Sequence, residues 1–172
     1  MDKATLKHEV ANNLILLEEE LRSFAANAGA QLWRKAVTNL YYAAYDATCA
    51  LLWSKGVKTE SHEGAQSMLS LHFVRAGALP KDTTKNLSML MSLRHAADYK
   101  GDVSIAAQDV IDQRKWVVGF VNSALDIIRA EGPGASVSAA LAALGQAERL
   151  VIAAAGGDTS PPPSRSKRRG TP

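Results

Sequence analysis

Apolar residues recur every three or four positions along most of the chain, and Gly, Pro or Asn residues separate the stretches with this spacing. On the first stretch, the apolar stripe consists of Leu6, Val10, Leu14, Leu17, Leu21 and Phe24. The spacing predicts five helices, over residues 3–27, 30–55, 63–75, 82–99 and 104–130. No stretch shows the alternation of a β-strand. We therefore expect an all-α fold, an up-and-down bundle of four long helices and one short helix.

The ends of the chain differ from its middle. Asp2 and Ser104 precede the first and fifth predicted helices, and both residue types are good N-caps. Residues 135–155 are rich in alanine with a thin apolar stripe, which predicts an appended helix. Residues 156–172 are rich in Gly, Pro, Ser and Arg, a composition typical of disorder. The predicted organisation is a helical domain over 1–131, an Ala-rich helix over 132–155 and a disordered basic tail over 156–172.

The net charge of +3 belongs to the tail. Residues 156–172 hold four basic residues and one acidic residue, whereas residues 1–155 hold 16 of each. This balance argues against a basic surface over the whole body, although it allows a local basic patch. A structural protein whose basic tail binds RNA or an acidic surface stays open as one alternative.

Several kinds of site lack their sequence signals. Neither a phosphate-binding glycine loop nor an HExxH motif occurs, and Cys49 is the single cysteine. None of the histidines lies three or four residues from another, as a helical metal pair requires. No apolar run is long enough to span a membrane, and the first residues lack the apolar core of a signal peptide. We expect a cytoplasmic protein with no metal, no cofactor and no membrane partner, and with Cys49 as a buried, inert thiol.

The segment over residues 93–99 collects the most chemistry. Arg94 continues the apolar stripe of the fourth helix four residues after Leu90, and Asp98 follows one turn later. His95 and Tyr99 stand beside them. One interpretation is an Arg–Asp ion pair with Tyr99 covering the core. The other is a phosphate-handling site in which Arg94 holds an oxyanion.

A second group of candidates precedes that segment. Tyr41, Tyr42 and Tyr45 are too close in sequence to share one helix face, so at least one phenol should reach an interface or a polar pocket. His62 stands where the third helix begins, after the natural cap Ser61. His62 is either a surface residue or a contributor to an anion site.

These segments resemble a HEPN domain, the small helical domain of prokaryotic toxin–antitoxin and defence systems. The resemblance covers roughly residues 5–130 and is closest to the subgroup with an Arg-x-x-x-Asp-Tyr signature. The blocks that carry it are RKAVTNLYYAAYDA over 34–47, SHEG over 61–64, LHFVRAGAL over 71–79 and LRHAADY over 93–99.

The resemblance implies a dimerising bundle. Active members of the family are metal-independent ribonucleases with a composite site, in which an arginine is followed four to six residues later by a histidine. Arg94 matches that arginine, and His95, Asp98 and Tyr99 are the other candidate catalytic residues. No histidine follows His95, and Asp98 and Tyr99 occupy the region where the family has its histidine. A carboxylate facing a guanidinium and a phenol are both poor bases at neutral pH.

The resemblance also implies partners. Such domains are paired with a small nucleotidyltransferase encoded nearby, which acts as antitoxin and in some pairs transfers a nucleotide to a HEPN tyrosine, here Tyr99. For Tyr41, Tyr42 and His62 we expect nucleotide binding. Two hypotheses follow: a ribonuclease that acts on RNA as a homodimer, or an inactive HEPN scaffold that binds a nucleotide or the nucleotidyltransferase.

Overall fold

The computed structural model describes residues 2–131 and 140–146, and throughout these residues all regular structure is helical. Helices α1, α2, α3, α4 and α5 span Lys3–Gly29, Trp33–Ser54, His62–Leu69, Thr83–Tyr99 and Ala107–Glu131. A π-helical segment, Ser70–Val74, continues α3. The prediction of an all-α bundle with four long helices and one short helix is confirmed.

Local side-chain bonds and backbone angles set the first helix boundaries. The Asp2 carboxylate accepts hydrogen bonds from the N–H groups of Ala4 and Thr5 at 2.8 and 2.9 Å, which confirms Asp2 as the N-cap of α1. Gln31 adopts a φ of 58°, which a helix cannot continue. Helix α2 therefore begins at Trp33, three residues later than the spacing predicted.

The predicted start of the fifth helix at Ser104 is wrong. Helix α5 begins at Ala107, and Ser104 lies in the irregular segment before it. The carboxylate of Asp109 reaches back and accepts the N–H of Ala106 at 2.9 Å, as the third residue of a capping box does. Ile105 is buried in the core, so packing of this segment competes with extension of the helix.

The third predicted helix is not uniform. After Leu69 the backbone widens to the π form, and the N–H of Arg75 bonds to the carbonyl of Ser70, five residues back, at 2.9 Å. The wider turn places Phe73 in the core. Gly77, with a φ of 77°, ends the segment in a conformation that favours glycine.

Helix α2 lies at the centre of the bundle and packs against α1, α3, α4 and α5. A short turn joins it to α1, so the two helices are antiparallel neighbours. Its apolar side chains are buried over most of its length. The fully buried ones are Ala36, Val37, Leu40, Ala43, Ala44, Ala47, Ala50, Leu51 and Leu52.

The Ala-rich segment is described only in part. Residues 140–146 are helical, and Ala140, Ala143 and Leu144 join the core of the bundle. The rest of the predicted helix over 132–155 and the predicted tail over 156–172 lie outside the described residues.

A partly buried polar network lies where α1 meets α2. Asn39 donates to the carboxylate of Glu20 at 2.7 Å and accepts a hydrogen bond from Asn27 at 2.8 Å. Asp46 lies two turns after Asn39 on α2 and is 8% exposed. Burial, together with the negative charge of Glu20, raises the pKa of Asp46 to about 7. Burial also raises the pKa of Glu20.

Asp46 should make the protein less stable at alkaline than at acidic pH. Its pKa in the folded state, about 7, lies above the ordinary 3.8, so the folded protein keeps a proton that the unfolded chain releases between these values. The free energy of unfolding therefore falls as the pH rises through this range and levels off above it. We expect the free energy of unfolding to decrease between pH 5 and pH 8 by about 2 kcal/mol less in Asp46→Asn than in wild type. Urea unfolding at pH 5 and pH 8 measures this decrease, and the exposed Asp102→Asn variant is the control. An equal decrease in wild type and in Asp46→Asn contradicts the prediction.

Candidate functional site

Arg94 projects from α4 towards α2 and is held at two atoms. Its Nη2 donates to the hydroxyl of Tyr42 at 2.6 Å, and its Nε lies 2.9 Å from a carboxylate oxygen of Asp98, one turn along α4. The Nε–H is not aligned for a hydrogen bond with that oxygen, so the contact is an ion pair only. The Arg94 side chain is 17% exposed. The Arg–Asp pair of the first interpretation is therefore present.

Aromatic rings surround the guanidinium. Its Cζ lies 5.6, 5.2 and 5.7 Å from the ring centres of Tyr41, Tyr42 and Tyr99, distances at which a cation is attracted to a π face. Burial lowers the pKa of Arg94, but Tyr42, Asp98 and Tyr99 outweigh it and the pKa is raised. Nη1 makes no hydrogen bond to any residue that the structure describes. Arg94 is thus a fixed cation with donors left for an anion.

His62 joins this cluster from α3. Its Nδ1 lies 2.7 Å from the Tyr41 hydroxyl, and its ring centre lies 4.1 Å from that of Tyr45 and 6.3 Å from that of Tyr42. The predicted nucleotide-binding residues Tyr41, Tyr42 and His62 therefore lie together, against Arg94. Burial raises the pKa of Tyr41 to about 12 even though the charge of Arg94 lowers it, so the phenol is neutral at physiological pH.

The start of α3 fixes the position of His62. The Ser61 hydroxyl accepts the N–H of Gly64 at 3.0 Å, which caps the helix as predicted. A Cβ on residue 64 would lie 2.9 Å from that hydroxyl oxygen, so a larger residue there would require the Ser61 side chain to shift.

Asp98 is held from two helices. One carboxylate oxygen faces Arg94, and the other accepts a hydrogen bond from the Thr38 hydroxyl of α2 at 2.7 Å. Both oxygens are thus engaged, and Asp98 fixes the guanidinium against α2.

His95 and Tyr99 form the outer part of the site. Their ring centres lie 4.8 Å apart, and Tyr99 is 67% exposed. His95 is exposed and makes no contact with Arg94 among the interactions of the described residues. The structure therefore brings His95 to Tyr99, and it brings His62 rather than His95 to the inner cluster.

Sequence reasoning did not single out Arg34, which anchors the end of α4. Its guanidinium donates to the carbonyl oxygens of Val103, Lys100 and Ala96 at 2.6, 3.0 and 3.4 Å. A cation at the carboxyl end of a helix also interacts favourably with the helix dipole. Arg34, Thr38, Tyr41 and Tyr45 recur at helical spacing on α2, and this polar-tipped stripe was the signal available in the sequence.

An open cleft of about 680 Å³ adjoins the cluster. It lies between the α1–α2 turn and the α4–α5 connection, and Asp98 stands on its wall together with Trp33, Arg34 and Lys35. The cleft offers space, two cations and an indole on the side of the site where Asp98 lies.

Two other kinds of site are absent from the described residues. Over residues 2–131 and 140–146, no three His, Cys, Asp or Glu side chains converge as metal ligands, and no helix has the length and apolarity to span a bilayer. Burial raises the pKa of the Cys49 thiol to about 11, which keeps the thiol protonated at neutral pH.

The chain is similar to two curated proteins. One, from Methanocaldococcus jannaschii, is named "Putative toxin MJ0605" and is 27% identical over 122 residues, which are 70% of this chain and 91% of the relative. The other, from Thermotoga maritima, is named "UPF0332 protein" and is 28% identical over 88 residues, 51% of this chain and 67% of the relative. No family model matches the chain. A protein named as a putative toxin is thus similar to this chain over 70% of its length.

Arg34→Ala should loosen the end of α4. The change removes three charge-assisted hydrogen bonds, and we expect the free energy of unfolding to fall by about 2 kcal/mol. The N–H groups of Lys100 and Val103, which close the turn after α4, should exchange faster with solvent. Urea unfolding and hydrogen exchange measure the two effects, with the exposed neighbour Lys35→Ala as control. Unchanged exchange at both positions contradicts the anchoring role.

Proposed function

We propose that the protein is a toxin-like HEPN ribonuclease that cleaves RNA without a metal ion, with Arg94 binding the scissile phosphate. The observation that carries the proposal is a partly buried guanidinium that Tyr42 and Asp98 hold in place, while Nη1 makes no hydrogen bond to the residues that the structure describes. A relative named as a toxin supports the toxin-like role.

The chemistry of phosphodiester cleavage suits such a cation. The transition state carries more negative charge on the phosphoryl oxygens than the substrate does, and a prepositioned donor stabilises it without reorganising. Arginine presents a planar fork of N–H groups that matches phosphate oxygens.

The surroundings of Arg94 suit a nucleic acid chain. The exposed ring of Tyr99 offers a surface on which a base can stack, and the adjoining cleft supplies Lys35 and Trp33. In this proposal Arg94 binds the phosphate, and the bases contact the rings of Tyr99 and Trp33.

The proposal includes a homodimer, a cytoplasmic setting and a nucleotidyltransferase antitoxin, as the HEPN resemblance implies. The outer face of α4 supports a contact between copies. Met89 is 50% exposed there and lines a shallow, mostly apolar groove with Leu93 and Ala96. The same helix carries Arg94 and Tyr99, so a contact along it would bring two sites near each other.

A second candidate function is the inactive scaffold whose tyrosine accepts a nucleotide. The observation that favours it is Tyr99, whose ring is 67% exposed while it lies 5.7 Å from the Arg94 cation. A phenol in that place is open to a partner enzyme, and the cation would bind the phosphate of an incoming nucleotide.

Arg94→Ala should lower the rate of RNA cleavage by roughly 100-fold or more, because it removes the donor that binds the phosphate. The measurement is the cleavage of mixed cellular RNA in the presence of a chelator. Arg75→Ala, an exposed arginine on another part of the bundle, is the matched control. A chain shortened to residues 1–155 tests the alternative that the basic tail carries the function. Cleavage that persists in purified Arg94→Ala contradicts the ribonuclease.

The scaffold makes a different prediction for Tyr99. When the protein is co-expressed with a nucleotidyltransferase from the same locus, the intact mass should rise by one nucleotide in wild type and not in Tyr99→Phe. Wild-type protein should then show no RNA cleavage. An unchanged mass in the wild type counts against Tyr99 as acceptor.

A further inference from the structure

We propose that His62 is the proton acceptor of the Arg94 site, so that its substrate must carry a 2′-hydroxyl. This inference rests on the proposed ribonuclease function and deepens it. Metal-independent cleavage needs a group that takes a proton near neutral pH, and imidazole is the side chain best suited to this. The sequence holds no histidine after His95, but the fold supplies one from an earlier helix.

Contacts hold the His62 ring in one orientation. Nδ1 is bonded to the Tyr41 hydroxyl at 2.7 Å, and the ring packs on Tyr45 with ring centres 4.1 Å apart. Nε2 has no hydrogen-bond partner within the part of the chain that the structure describes. When Nδ1–H donates to the Tyr41 oxygen, Nε2 carries the free lone pair that a base requires.

Arg94 and His62 flank the same two rings. The Arg94 Cζ lies 5.6 and 5.2 Å from the ring centres of Tyr41 and Tyr42, and the His62 ring centre lies 5.7 and 6.3 Å from them. The proposal places the phosphate of a bound nucleotide at the cation and its ribose towards the imidazole.

The other candidate bases are engaged or distant. Both oxygens of Asp98 already face Arg94 and Thr38. His95 stacks on Tyr99 at the outer rim. A neutral phenol is a poor base, which leaves His62 as the group suited to accept the proton.

The proposed step is an intramolecular transfer. The 2′-oxygen attacks the adjacent phosphorus as its proton passes to Nε2 of His62, and the bond from phosphorus to the 5′-oxygen breaks. The leaving 5′-oxygen takes a proton from water. The products are a 2′,3′-cyclic phosphate and a 5′-hydroxyl, and the imidazolium returns its proton to solvent. Nη1 of Arg94 binds a phosphoryl oxygen as its charge grows.

Charged and titratable groups face His62 from α2 and α4 as well as from its own helix. Tyr41, Tyr42 and Tyr45 face it from α2, and Arg94 lies beyond the first two rings on α4. On its own helix, Glu63 is the nearest acidic neighbour, and its charge acts on Tyr41. A step that depends on a general base gives a cleavage rate that rises with pH.

The test compares wild type, His62→Gln and the control His8→Gln, an exposed histidine on α1. The substrates are a short RNA and the DNA of the same sequence, with a chelator present. Wild type and His8→Gln should cleave the RNA to 2′,3′-cyclic ends and leave the DNA intact. His62→Gln should cleave roughly 100-fold or more slowly and lose the rising limb of the pH profile. Added imidazole should restore part of the rate in a His62→Gly variant. Circular dichroism and urea unfolding verify that each variant is folded.

The outcomes separate the two proposals. If wild type cleaves, Arg94→Ala does not, and folded His62→Gln keeps the wild-type rate and pH profile, the role of His62 is overturned and the ribonuclease stands. Cleavage of the DNA by wild type also overturns the inference, since the step needs a 2′-hydroxyl. If wild type cleaves neither substrate, the ribonuclease itself is overturned, and His62 with it.

Discussion

Helix α2 packs against four other helices, α1, α3, α4 and α5, and its 22 residues must present different side chains to them. Its fully buried apolar side chains are small or branched and allow close packing, and towards α1 it also presents the polar Asn39. Towards α3 and α4 it presents aromatic residues with polar tips. The bundle and the site therefore depend on one helix, and the stripe that packs the core is continuous with the stripe that holds Arg94 and His62.

A cation near a core is stable only when its N–H groups and charge are compensated. Arg94 obtains this from Tyr42, from Asp98 and from three aromatic faces, and Asp98 in turn is held by Thr38. Compensation is incomplete, since Nη1 remains unbonded among the described residues. A purely structural ion pair gains nothing from an unused donor, whereas a site for anions requires one. The geometry of Arg94 and Asp98 is thus compatible both with a structural ion pair and with a site that binds an anion.

The helices were predictable because their signals are local. Apolar spacing fixed the five stretches, and the Asp2 cap needs only the two N–H groups that follow it. The start of α5 was not predictable from Ser104, because Asp109 and the burial of Ile105 outweigh a good cap residue. Within the candidate site, the pairing of Arg94 with Asp98 was foreseeable from one helical turn. The contact of His62 with Tyr41 was not, since spacing along a chain carries no information about distances between helices.

The order of the contributing helices has a consequence for biosynthesis. Tyr42 and His62 are made before Arg94, and Arg34 holds carbonyls that follow Arg94 in the chain. A nascent polypeptide that ends before α4 thus lacks Arg94. One that ends before residue 103 lacks a carbonyl to which Arg34 donates at the end of α4. Domains fold as units as they leave the ribosome. Any chemistry of this cluster is therefore withheld from truncated translation products and first arises when most of the bundle has been synthesised.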